Sequence, residues 1–165
     1  MHKALDVVGL PVLCLQTGET LGNVRDILCD TTWHVRGVLL SEPGWFQPGT
    51  YIPSEQIHAV GEDCLTVAGK DAITPLQDLA GIEPIGIVTG KTKLKGKSVI
   101  TASGDTLGVV EDVYFSTGWE KLVGYELSNG WIADVTEGRR RLTAPASVII
   151  GEENLIVPDN VRIQA

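Results

Sequence analysis

The sequence predicts an all-β protein made from two tandem copies of one small domain, and three observations carry that prediction. The segment GETLGNVRD, beginning at Gly18, returns as GDTLGVVED beginning at Gly104, an offset of 86 residues. The four tryptophans fall into two pairs along that offset, Trp33 with Trp119 and Trp45 with Trp131. The 19 glycines and 8 prolines punctuate short apolar runs at close intervals, which is the pattern of strands joined by tight turns.

The match continues, with small gaps, beyond the tryptophans. IPSEQI around Pro53 is answered by APASVI around Pro145, and GEDCLTV at Gly61 by GEENLIV at Gly151. So long a period belongs to a duplicated domain and not to a solenoid unit. The 165 residues suffice for two minimal domains, since about 60 to 80 residues can fold alone. We place them at residues 1–80 and 81–165.

Taken in order, the chain opens on MHKALDVVGLPVLCL. A basic residue followed by an apolar run has the outline of a signal peptide. Here the run is short, carries Asp6, is broken by Pro11 and lacks an A-x-A cleavage pattern, so the segment reads as part of the fold. TGET and SGDT then suit tight hairpins, in which Gly18 and Gly104 tolerate positive φ. From Leu21 to Asp30 the apolar positions Leu21, Val24, Ile27 and Cys29 match Leu107, Val110, Val113 and Phe115. This set changes parity between Val24 and Ile27, which predicts a β-bulge near Asp26. A turn follows, DTT in one copy and STG in the other. The next strand opens at Trp33 or Trp119 and runs to Leu40-Ser41 or Leu127-Ser128. Between the copies, Thr74-Pro75-Leu76-Gln77 is a capping-box pattern with Pro at the first helical position, and Gly81 stands ready to stop the turn. A short linker helix is expected there.

Composition narrows the function classes. Hydrophobic residues make up 43% and charged residues 21%, as in ordinary globular domains and unlike disordered chains. No apolar stretch approaches the roughly 20 residues that cross a bilayer. Cys14, Cys29 and Cys64 are odd in number and lack C-x-x-C spacing, which argues against a disulfide framework and a zinc site. The net charge of −8 disfavours a phosphate backbone as partner. Residues 1–85 hold 4 basic and 11 acidic side chains, and residues 86–165 hold 9 and 10. The basic residues of the second half gather in KTKLKGK (91–97) and in Arg139, Arg140 and Arg141.

The order of strand, G-x-T-L-G-x-V-x-D, a strand opening near Trp, and I-P-x-x-x-I resembles the PRC-barrel family, and it does so in both halves. The resemblance implies two small closed β-barrels serving as docking surfaces for protein partners. The family also occurs in the cytoplasmic part of the photosynthetic reaction-centre H subunit and in a 16S rRNA processing factor. The tandem, stand-alone arrangement is similar to uncharacterised bacterial members.

Residues present in both copies are expected to serve the shared fold. Asp26 and Asp112 read as carboxylates accepting backbone N–H groups at the bulge. Gly18, Gly22, Gly104 and Gly108 read as turn and strand glycines, because no Lys-Ser/Thr or opening helix follows them as a phosphate loop requires. Cys14 aligns with Ile100 and Cys29 with Phe115, so both thiols are expected in the core, and Cys64, opposite Asn154, outside it. His2, His34 and His58 are scattered, with His34 opposite Glu120, and read as surface residues. No cofactor, metal or catalytic set is implied.

The copies differ most at GWFQPG, residues 44–49. Adjacent strand residues face opposite ways, so Trp45 and Phe46 cannot share one core, and at least one is a candidate contact residue. Leu39, apolar where its counterpart is Glu126, completes a proposed partner surface on the first domain. Its alternative occupant is the other copy. We therefore expect a cytoplasmic, non-catalytic protein-interaction module. One alternative is an RNA- or ribosome-associated assembly factor using the basic clusters; another is a peripheral component of a photosynthetic or other membrane complex.

Overall fold

The computed structural model describes residues 1–79, 81–129 and 138–164, and in them the chain is all-β with a few short 3-10 turns. The first repeat follows β1 (His2–Lys3) and comprises β2 (Pro11–Cys14), β3 (Thr20–Asn23), β4 (Asp26–Cys29), β5 (Val35–Ser41), β6 (Thr50–Pro53), β7 (Ile57–Val60), β8 (Leu65–Val67) and β9 (Thr74–Pro75). After β10 (Ile85–Gly86) come β11 (Ser98–Thr101), β12 (Thr106–Phe115), β13 (Leu122–Ser128), β14 (Arg140–Thr143), β15 (Ile149–Ile150), β16 (Asn154–Val157) and β17 (Ile163–Gln164).

Two compact units result. One is Ala4–Gly86; the other combines Met1–Lys3 with Ile87–Ala165. This differs from a division at residues 80 and 81, and the ladders give the reason. β10 runs antiparallel to β4, with Ile85 opposite Cys29 and Gly86 opposite Leu28. β1 runs antiparallel to β12, with His2 opposite Phe115 and Lys3 opposite Tyr114. The strand that precedes each repeat thus completes the unit of the other repeat.

Strand by strand the units are replicas. The first-repeat unit holds the sheets β10-β4-β5-β6-β9 and β3-β2-β8-β7. The second holds β15-β16-β11-β12-β13-β14-β17, with β1 also on β12. Among the described residues one parallel pairing occurs in each, β2 with β8 and β11 with β16. β12 does the work of both β3 and β4. Its register shifts between Val110 and Asp112, while the first repeat interrupts the strand between Asn23 and Asp26. Among the described residues no ladder closes into a ring.

Two alignments need correction. The Cys14 amide donates to the Glu19 carbonyl, and the Thr101 amide to the Asp105 carbonyl. Cys14 is therefore equivalent to Thr101, not Ile100. Likewise Asp30 donates to the His34 carbonyl and Ser116 to the Lys121 carbonyl, so the counterpart of His34 is Lys121. Sequence identity across the gapped hairpin and turn hid single-residue length differences. The linker differs too. Thr74 and Pro75 belong to β9, paired with β6, and only Leu76–Asp78 form a single 3-10 turn. The Thr74 hydroxyl donates to the Ala72 carbonyl and no side chain caps the turn, so the capping box does not form.

Alternation puts Val12 and Cys14 of β2, Val99 and Thr101 of β11, and Leu65 and Val67 of β8 inward. β4 is buried on both faces. One side goes to the core with Ile27; on the other, Leu28 joins Leu39, Tyr51 and Leu79, with Leu76 packed against them. The 3-10 turn and the residue after it therefore cover that face of the sheet.

Candidate functional site

The loop between β5 and β6 is closed at its base and at its tip. At the base the Ser41 and Thr50 hydroxyls lie 2.6 Å apart, and at the tip the Gly44 amide donates to the Gln47 carbonyl at 2.9 Å. Pro43 and Pro48 fix φ on either side of the tip. Between them Trp45 is 99% exposed and Phe46 97% exposed. Large apolar rings held this far out of the fold gain nothing from folding, because burial is what makes an aromatic side chain stabilising. The Leu76 amide donates to the Gly49 carbonyl, which sets the turn carrying exposed Asp78 at the loop's base. Exposed Glu42 enters the loop from the other side. Tyr51, on the adjacent strand, has its phenol pushed up, first by burial and then by the charges of Glu55 and Asp78.

Leu39 does not belong to this surface. It is 4% exposed and faces Tyr51 across the ladder. Its counterpart Glu126 is buried as well. By the matched registers, Leu28, Leu39 and Tyr51 are replaced in the second repeat by Tyr114, Glu126 and Arg141. The Lys3 ammonium lies 2.6 Å from Glu126 Oε2 and the Arg139 guanidinium 2.7 Å from Oε1. The Tyr114 hydroxyl donates to Oε2 at 3.0 Å, and Arg141 lies over the Tyr114 ring. Burial alone would raise the Glu126 carboxyl; the hydrogen bonds from Lys3, Arg139 and Tyr114 outweigh it and hold the group down at about 2. One face of the fold is an oily cluster in one repeat and an ionic one in the other. The single-letter difference at 39 and 126 was a signal of this, and reading it required knowing that both positions point inward.

The shared residues sit as follows. Asp26 and Asp112 are buried, and each carboxylate accepts the N–H of the next residue, Ile27 or Val113, at 2.8 Å. Gly18 and Gly104 have φ of +75° and +98° in their hairpins. Gly22 and Gly108 have φ of +149° and +143°. A Cβ on Gly108 would come within 2.9 Å of the Ser128 carbonyl oxygen. Trp33 and Trp119 are also left-handed, at φ 68° and 59°, each at the end of the turn after β4 or β12. Trp119 stacks on His2 at 4.7 Å between ring centres. Trp131 lies outside the described residues.

The basic clusters are partly committed within their own unit. Arg140 donates to the Leu107 carbonyl and, at 3.2 Å, to Asn129. Arg139 and Arg141 serve the ionic cluster. Lys97 is buried and donates to the Glu152 carbonyl at 2.6 Å. Cys14 and Cys29 are buried and Cys64 partly so. Burial, helped by the Asp30 and Asp26 charges, pushes the Cys29 thiol well above its ordinary value, the reverse of what a nucleophile needs. Among the described residues no three His, Cys, Asp or Glu side chains are grouped to hold a metal.

Comparison with known proteins fits this duplicated geometry. The family model described as "PRC-barrel domain" matches twice, over residues 1–73 and 90–162. A relative, "Uncharacterized protein YrrD" of Bacillus subtilis (strain 168), is 27% identical over 154 residues, covering 92% of this chain and 84% of its own length.

Proposed function

The chain belongs to the PRC-barrel domain family, and from that premise we propose that it is a non-catalytic protein-interaction module, each repeat a small closed barrel that serves as a scaffold. The observation that carries this reading is the pair of rings at Trp45 and Phe46, presented side by side on a closed loop and almost wholly exposed. Trp is enriched among the few residues that dominate binding energy, and rigid presentation lowers the ordering cost of association. In this reading the module works in the cytoplasm, and its free cysteines agree with a reducing compartment.

An RNA-binding role draws less support. Arg139, Arg140 and Arg141 are engaged with Glu126, Leu107, Asn129 and the Tyr114 ring, and a phosphate would have to compete for them. The experiment is affinity capture from the source organism with wild-type protein and with Trp45→Ser/Phe46→Ser as baits. One or more proteins should be lost from the variant, whose melting temperature should match the wild type. Identical captures would remove the loop from the reading.

A further inference from the structure

The charge of this protein is divided unevenly between its two compact units. Ala4–Gly86 holds 3 basic and 11 acidic side chains, whereas Met1–Lys3 with Ile87–Ala165 holds 10 of each. The whole net charge of −8 therefore sits on the unit that carries the aromatic loop. Locally, Glu42 enters the loop and Asp78 stands at its base.

Resting on the reading of this loop as a docking element, we propose that its partner is a cationic protein segment, one that combines Lys or Arg with apolar side chains. An indole and a phenyl ring on a loop of an acidic unit offer both contacts such a segment needs. The ring faces attract guanidinium and ammonium groups while their area buries apolar side chains, and the surrounding negative field speeds encounter and rejects acidic competitors. The same field opposes anionic lipid and nucleic acid, and it opposes a second copy docking through its own acidic unit.

The test is selection of 12-residue peptides from a random phage-displayed library on the full chain, with binders to Trp45→Ser/Phe46→Ser subtracted. Peptides enriched on the wild type should carry a net positive charge of at least two together with apolar residues. Synthesised singly, they should lose affinity about tenfold or more in the variant, and again on raising salt from about 0.05 to 0.5 M. Enriched peptides that are neutral or acidic would overturn the proposed partner chemistry while leaving the docking loop in place. No enrichment over the variant would overturn both. Two further results would assign the rings another occupant and overturn the proposal. One is co-sedimentation with phosphatidylcholine vesicles that depends on the two rings; the other is wild-type self-association, abolished in the variant, seen by sedimentation velocity. Because both rings are exposed, the variant's melting curve serves as the folding control.

Discussion

Positions 39 and 126 are the same place in two copies, and the side chain there decides what its neighbours must be. Leu39 meets Leu28, Tyr51 and Leu79. Leu39→Glu would bury a carboxylate with no cation equivalent to Lys3 or Arg139, and it should cost about 3 kcal/mol or more in the first-repeat unit, read as a fall in its melting transition. By contrast, Trp45→Ser/Phe46→Ser should leave that transition within about 4 °C of wild type, since surface changes of this kind fall within about 0.5 kcal/mol. Glycine positions separate in the same way. Gly104→Ala meets open space and bears only the strain of positive φ, about 1 to 2 kcal/mol. Gly108→Ala adds a close approach to the Ser128 carbonyl and should be the more destabilising in urea unfolding. Equal losses would show that backbone strain alone governs both.

At the level of the element, the ionic cluster ties β1 to β12 and β13 through one carboxylate. The Glu126 carboxyl is held far below its ordinary value of 4.5, so its contribution is complete above about 4.5 and is lost as pH falls toward about 2. Lys3 is raised above its ordinary 10.5, chiefly by its hydrogen bond to Glu126. Its contribution is complete below that value and is lost as pH rises through the higher folded value. The cluster should thus hold the second-repeat unit steady between these limits. Glu126→Gln should lower stability at neutral pH by about 1 to 3 kcal/mol, and the deficit should shrink as pH falls below 4.5. A deficit that stays constant to about pH 2 would mean that the charge of Glu126 contributes nothing. The first repeat, with Leu39 in this place, should show no such acid step from position 39.

For the whole molecule, the exchange of β1 and β10 makes a prediction that sequence order does not. Deleting residues 1–3 should accelerate amide hydrogen exchange in β12, near Tyr114 and Phe115, and leave β4 unchanged, because β1 pairs with β12. Faster exchange in β4 would instead place β1 with its own repeat. A fragment spanning 4–86 should melt cooperatively and at a higher temperature than 1–80, which lacks β10.

The sequence by itself determined the β class, the duplication, the family and the turn glycines, because these rest on local chemistry: alternation of side chains, turn conformations that demand glycine, and a motif repeated in order. It also singled out Trp45 and Phe46, since two adjacent rings cannot both enter one core. Tertiary structure alone decided that Leu39 is inside, that Leu76 and Leu79 cover its face, that Glu126 is buried among cations, and that each repeat is completed by the strand before the other. Each of these depends on a pairing between residues distant in sequence. A two-residue strand such as His2–Lys3 or Ile85–Gly86 carries too little pattern to name its partner, and its place is fixed only by which sheet edge lies within hydrogen-bonding reach.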